Sequence, residues 1–443
     1  MSLAIYVLGR EVATLEAIGD FKSSMTYRAD VAPEDFVSLT MRVRPDSYGW
    51  DDVLHPIFQM NLPEGYLLQV LQEQFGPHVG ASPMALLSVI GRNMIGRIQV
   101  APSGVDLDEP PKPVDVAALL QGDNSEEAFN ELVRQHATSG VSGVVPKFLD
   151  GNIDKVSKGP HKKATLVIHQ HIIKGSSRLL PFVSLNEHLC MQVVRRVMPA
   201  AKTEVSRDGQ ALVVHRFDVD ESGARHWGME DFCALLGLRP AAKYETTWER
   251  IAKAVRDHVP VTNRPTTFRQ MATLLLLTYA LRNADCHAKN IALLYTRNDD
   301  VHLAPAYDMI TTAAYPDYQR NPPAIAFMGK KTWDPGKSLH TFITTTFGLT
   351  MREQVEIVDQ IAAAMAEVGP LVREAMQLHP EFAVIGKRML LAWQDGINGL
   401  REKRVYALPE AVLGNAFSGF SKPGRTKLAR NVIGRSDLLG RPK

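Results

Sequence analysis

The sequence predicts an α+β protein with two lobes, one built on mixed sheets and one mostly helical, preceded by an extra N-terminal β-rich section. Three observations predict it. Strand-like alternation and turn signals concentrate before Asp218, whereas the apolar spacing after it is mainly helical. The stretch Pro102–Pro113 holds four prolines and three acidic residues, which marks a linker. At 443 residues the chain is long enough for two or three structural units.

In the first section, Leu3–Val7 and Glu11–Leu15 flank a Gly9-Arg10 turn and read as a hairpin. Val37–Val43 alternates apolar with polar residues and predicts a strand with one buried face. Val53–Phe75 has helical spacing, broken at Pro63. This section spans 1–110. The second, 111–218, opens with a helical stretch, Val114–His136, and a tight loop, Thr138–Gly143. Ala164–Ile168 and His171–Lys174 are β-branched strand material, Val183–Val197 reads as a helix, and Ala211–Val214 returns to strand. The third, 219–443, predicts helices over Met229–Leu236, Thr247–Val255, Thr267–Arg282, Met351–Ala366 and Pro370–Leu378. One strand pair interrupts them, Ile291–Tyr295 and Val301–Ala304, around the turn Arg297–Asp300. A cleft between the lobes is the expected site.

Composition narrows the function. Lys and Arg number 50 against 48 Asp and Glu, a net charge of +2, which excludes a surface built throughout to neutralise phosphates. Three scattered cysteines, Cys190, Cys233 and Cys286, argue against a disulfide framework or structural zinc and for a reducing cytoplasm. The start MSLAIYVLGR lacks a signal-peptide pattern, and Met271–Leu281 is about half the roughly 20 residues of a membrane span. The expectation is a cytoplasmic protein without a membrane segment.

The chemistry centres on Asn283–Asn290, between a buried helix and the strand pair. Asp285 and Asn290 stand five apart, the D-x-x-x-x-N spacing of the kinase catalytic loop, where the aspartate takes the hydroxyl proton and the asparagine binds magnesium. Eighteen residues after Asn290, past the hairpin, Asp308 stands where kinases place a second magnesium-binding carboxylate. Upstream, Lys174 closes an apolar strand as a phosphate-pairing lysine does, and Glu187 on the next helix is placed as its partner. Val213–Asp218 reads as the connection between lobes that would hold adenine, with Asp218 on the ribose. Neither G-x-G-x-x-G nor a Walker sequence occurs; instead Ser139–Lys147 reads S-G-V-S-G-V-V-P-K, able to cup an anion with backbone N–H groups.

In order along the chain, these pieces resemble the HipA family, the serine/threonine kinase toxins of HipA–HipB toxin–antitoxin pairs. The resemblance covers nearly the whole chain: Asn61–Gly65, Ile90–Gly96, Ser142–Lys147, His171–Lys174, Asn186-Glu187, Arg216–Asp218, Glu230-Asp231, Lys243–Glu245, Asp285–Asn290 and Tyr307-Asp308. It implies a protein-kinase-like fold using ATP and Mg2+. Asp285 would be the catalytic base, with Lys289 beside it in the same loop, and Asn290 and Asp308 the metal ligands. Nucleotide contacts would come from Ser142, Gly143, Val144, Lys147, Lys174, Glu187, His215, Phe217, Asp218 and His287. It further implies a protein substrate, an aminoacyl-tRNA synthetase in known toxins, and a HipB-like DNA-binding antitoxin. The family's autophosphorylated loop serine aligns with Gly140, which leaves the neighbours Ser139 and Ser142 as candidates.

Other readings draw on other features. Small-molecule phosphotransferases share the aspartate–asparagine spacing but usually carry H-x-D, where this chain has Asn283. A non-enzymatic scaffold would act through a DNA-binding partner, with the basic run Lys422–Lys443 touching phosphates. His169 and His171 form H-x-H on one strand face, without a third zinc ligand at a telling spacing.

Overall fold

A computed structural model describes residues 1–19, 22–52, 54–62, 65–80, 82–105, 107, 114–139, 164–168, 170–334 and 336–401. The expected linker near residue 110, the glycine-rich loop after Ser139, His169 and the basic run at 422–443 lie outside the described residues.

The N-terminal section is an antiparallel five-stranded sheet, β1 (Ser2–Val7), β2 (Arg10–Ile18), β3 (Lys22–Tyr27), β4 (Tyr48–Trp50) and β5 (Ile98–Pro102), in the order β4-β3-β2-β1-β5. The predicted hairpin forms because Leu8 and Gly9 both take positive φ, 50° and 79°, the two-residue geometry that matches strand twist. Helices α1 (Pro56–Gln59), α2 (Gly65–Val79) and α3 (Pro83–Ile90) follow β4. Leu3, Ile5, Val7, Val12 and Leu15 pack with Phe58 of α1 and Leu87 of α3. Val37–Val43 is not a strand. Only Ser38 and Met41 bridge, in a tight turn. Its alternation arose because Val37 and Met41 are buried in the core under the N-terminal sheet while Leu39 is buried in the core of the lobes beyond it.

Two helices, α4 (Val116–Gln121) and α5 (Glu126–Ser139), replace the single one expected over Val114–His136. A four-stranded antiparallel sheet follows: β6 (Ala164–Val167), β7 (His171–Gly175), β8 (Thr203–Val205) and β9 (Ala211–His215), ordered β6-β7-β9-β8. Helix α6 (Val183–Val194) crosses between β7 and β8. Phe129 of α5 and Leu166, Ile173 and Val213 of the sheet share one core cluster with α2 and α3.

The last section begins with β10 (Gly228–Asp231) and α7 (Phe232–Leu235), where a single helix was predicted. Met229–Asp231 is strand because β11 (Ala292–Arg297) pairs with it, and β12 (Asp300–Leu303) completes a three-stranded sheet. Gly228 admits this pairing because the Tyr295 ring lies over it; a Cβ there would meet the ring at 2.2 Å. Helices α8 (Trp248–His258), α9 (Arg264–Ala280), α10 (Lys337–Phe342), α11 (Met351–Leu378) and α12 (Ala383–Arg401) form the bulk of the lobe. α11 starts at a Thr350–Glu353 capping box and runs on through Pro370, where two helices were expected. Its buried face, from Ile357 and Ile361 to Val368, Val372 and Ala375, continues on both sides of the proline, so packing overrides the local break. Among the described residues no helix is long and apolar enough to cross a membrane.

Candidate functional site

The site is assembled from three elements that meet between the lobes. β7 delivers Lys174, nearly buried, whose Nζ donates to Glu187 Oε1 at 2.5 Å and to Asp308 Oδ1 at 2.6 Å. Glu187 comes from the first half of α6, and the residue before it locks that helix in place. Asn186 Nδ2 donates to the Thr311 carbonyl at 3.1 Å, and its Oδ1 accepts from the Thr311 N–H at 2.9 Å. The Trp393 indole of α12 donates to Thr311 Oγ1 at 2.7 Å. The segment carrying Asp308 is thus pinned to α6 from one side and to the helical lobe from the other. Asp308 itself takes positive φ, 57°, a conformation that aspartate tolerates and that concentrates at functional sites.

The second element is the loop after α9. Its apolar run is wholly buried from Met271 to Leu281, so the chain must emerge with its polar residues at the helix end. Arg282 turns the chain at φ 54°. Asn283 Oδ1 accepts from the Asp285 N–H at 2.9 Å, and Thr312 Oγ1 accepts from the Ala284 N–H at 2.8 Å. The Asp285 carbonyl accepts from Asn290 Nδ2 at 2.9 Å, closing the five-residue loop on itself. That bond assigns the Asn290 amide, leaving Oδ1 as the atom to offer a hard cation. The Tyr307 hydroxyl donates to the Lys289 carbonyl at 2.8 Å, which draws the residue before Asp308 onto the residue before Asn290. The oxygen donors expected for magnesium therefore come from neighbouring, mutually tied backbone.

Asp285 Oδ1 accepts from the Tyr244 hydroxyl at 2.7 Å and lies 3.8 Å from His287 Nε2. The Tyr244 and His287 rings meet edge to face at 5.0 Å. Cys286, between the two polar residues, is fully buried, and burial pushes its thiol up to about 12, so it is inert there.

The third element is the connection after β9. Phe217 and Tyr307 face each other across the cleft with ring centroids 5.9 Å apart. One expectation about this connection is corrected. Asp218 is 2% exposed, and both its oxygens are engaged inside the protein: Oδ1 and Oδ2 by Arg216, Oδ2 also by the Gly96 N–H at 2.7 Å. Burial alone would raise its carboxyl, but Arg216 and that N–H outweigh it and hold the pKa low. It joins the N-terminal section to the lobe and is not placed for a ribose. His215 turns its Nε2 to Glu204 Oε1 at 2.6 Å, an engagement on the sheet itself. Ser139 is the last residue of α5, while Ser142, Gly143, Val144 and Lys147 lie outside the described residues. A groove of about 1050 Å³ lined by Ser177, Arg178, Arg207 and Pro380 contains none of the predicted site residues.

The structure thus brings Lys174, Glu187, Asp308, Asp285, His287, Lys289 and Asn290 to one place. Sequence reading assigned no role to Tyr244, Asn186 or Thr312, whose contacts hold that place together. Tyr244 and Asn186 stood inside short motifs, but only the fold sets them against Asp285 and Thr311.

Comparison with known proteins agrees with this geometry. The family model described as HipA-like C-terminal domain matches residues 139–368, and that described as HipA N-terminal domain matches residues 3–101. Two proteins of Sinorhizobium fredii, named "Putative kinase Y4dM" and "Putative kinase Y4mE", are 26% and 28% identical over 339 and 342 residues. Each alignment covers 71% of this chain and 78% of the relative. Among solved structures, the Shewanella oneidensis HipA–HipB–operator DNA complex superimposes with a TM-score of 0.62 at 17% identity, covering 90% of this chain and 99% of the matched one. That likeness shows a shared two-lobed α+β fold. With one matched model spanning the lysine, the catalytic loop and Asp308, and the other the N-terminal sheet, the chain belongs to the HipA family of kinases.

Proposed function

We propose that this protein transfers the γ-phosphoryl group of ATP, with Mg2+, to a serine or threonine hydroxyl of another protein. The observation that carries the reading is Lys174 bridging Glu187 and Asp308 beside a loop that fixes Asp285 and Asn290.

Lys174, held by two carboxylates, is oriented to meet phosphate oxygens. The N–H and C=O of Phe217 make no hydrogen bond among the described residues and suit the edge of adenine. Asp285 accepts the proton as the hydroxyl oxygen bonds to the γ-phosphorus and the bridging bond to ADP breaks. Magnesium, held by Asn290 and Asp308, would neutralise charge on the β- and γ-phosphate oxygens. His287 and Lys289 lie within the loop, where developing charge needs donors.

The reading extends to the toxin of a toxin–antitoxin pair, cytoplasmic, inhibiting translation by phosphorylating a protein such as an aminoacyl-tRNA synthetase. The solved Shewanella oneidensis complex contains HipB and operator DNA, which supports a HipB-like DNA-binding antitoxin as the partner here. Self-phosphorylation at Ser139 or Ser142 belongs to the same proposal.

The test is incubation with labelled ATP and magnesium, followed by mass mapping of the phosphate acquired by the protein. Asp285→Ala should abolish transfer, a loss of at least about 100-fold, and leave nucleotide affinity within about two-fold. Asp308→Ala should weaken magnesium-dependent nucleotide binding. Wild-type transfer by Asp285→Ala would overturn the assignment.

A further inference from the structure

We propose that Tyr244 is the residue that positions the catalytic carboxylate: its phenol orients Asp285, so that it acts on turnover through that side chain. The inference rests on the reading of Asp285 as the base. Four contacts carry it. The Tyr244 hydroxyl donates to Asp285 Oδ1 at 2.7 Å. The backbone on either side of that ring is clamped independently, since the Ala288 N–H donates to the Lys243 carbonyl at 3.1 Å and Lys331 Nζ donates to the Tyr244 carbonyl at 2.7 Å. The ring itself rests edge-on against His287 at 5.0 Å.

A carboxylate on a short side chain rotates about two bonds, and a base serves only when one oxygen faces the hydroxyl it deprotonates. Fixing Oδ1 fixes the carboxylate plane and hence the direction of Oδ2. Within the loop, hydrogen bonds with Asn283 and Asn290 hold the backbone of Asp285, and His287 Nε2 lies 3.8 Å from its Oδ1. The phenol comes from outside the loop, on the segment between Pro240–Ala242 and α8, and binds the side chain itself. Tyr244 is 9% exposed, so water competes weakly for this bond. The Lys331 clamp also connects Tyr244 to the turn at Phe327–Lys330, where exposed Met328 takes positive φ, 47°.

The experiment is steady-state magnesium-dependent ATP hydrolysis, with water as acceptor, by the full chain and by Tyr244→Phe, Asp285→Asn and the double variant. Tyr244→Phe should lower kcat about ten-fold with the KM for ATP within about two-fold, and should lower kcat less than two-fold in the Asp285→Asn background. That non-additivity is the signature of action through Asp285; a merely structural tyrosine would lower kcat equally in both backgrounds. Equal losses, an unchanged kcat, or a KM rise at constant kcat would each overturn the inference while Asp285→Asn still shows the base. Wild-type turnover by Asp285→Asn, or none by the unaltered protein, would overturn the reading beneath it as well.

Discussion

Asp218 illustrates why the identity of a residue does not state its job. Its position after a strand matched a ribose-binding carboxylate, yet the side chain is sealed against Arg216, 9% exposed, and accepts from Gly96 of the N-terminal section. Removing one partner of a buried ion pair strands the other, at about 3–5 kcal/mol. Asp218→Asn should therefore lower stability in urea by roughly that order while leaving the ATP KM of the folded protein near wild type. A selective loss of ATP affinity at unchanged stability would restore the ribose role. Lys174 shows the converse. A lysine closing an apolar strand and a glutamate on the following helix matched the kinase pattern that predicts a pair, and the pair is present at 2.5 Å.

At the scale of elements, the long buried helix α9 matters most, because its end aims the loop that carries Asp285. It is held by α12, which the sequence reading did not identify. Gly396 of α12 lies directly on the last turn of α9: a Cβ there would come within 2.1 Å of the Ala280 carbonyl and 2.7 Å of that of Tyr279. Both are backbone atoms that cannot rotate away. Gly396→Ala should destabilise by about 1–3 kcal/mol through overpacking, read as a lower urea midpoint at unchanged m-value. Transfer activity should fall with it, since the displaced turn ends at Ala280, two residues before Arg282 and three before Asn283. An unchanged midpoint would show that the two helices can part without cost.

On the scale of the whole molecule, the N-terminal section is bonded into the catalytic lobe through buried polar groups. Glu230, fully buried, accepts from Ser38 Oγ, the Leu39 N–H and the Tyr295 hydroxyl, all at 2.7 Å. Arg97 lies over the rings of Phe36 and Tyr295 at 4.4 and 5.1 Å and donates to the Phe36 and Thr296 carbonyls. Buried titratable groups give the fold a pH dependence. Burial lowers His55 and His188 to about 4, below the 6.5 of an exposed imidazole. Their neutral forms belong to the folded state, so stability is full above pH 6.5 and is lost as pH falls from there toward 4. Glu230, raised chiefly by burial, acts with the opposite sign and offsets part of that loss. The melting temperature should fall between pH 7 and pH 5, and His188→Gln should flatten the fall. An unchanged slope in that variant would remove His188 from the account.

The β-rich start and helical end of the chain, the hairpin at Gly9, the buried helix before Asp285 and the spacing of Asp285, Asn290 and Asp308 were legible from the chain. Each is a local matter of periodicity, turn chemistry or separation along the backbone. What was misread depended on contacts between distant segments. Val37–Val43 has strand alternation but spends the Leu39 N–H and the Ser38 hydroxyl on Glu230, some 190 residues away. Met229–Asp231 is strand because β11 lies beside it, and α11 ignores Pro370 because its buried face continues past it. The sequence by itself was enough to set the protein with the HipA kinases and to single out the side chains proposed to carry the chemistry. Only the tertiary structure decided that Asp218 is a structural anchor, that Asn186 ties α6 to the Asp308 segment, and that the Tyr244 phenol meets Asp285. The physical reason is range: propensity acts over a few residues, whereas a hydrogen bond at 2.7 Å is set by how whole elements pack.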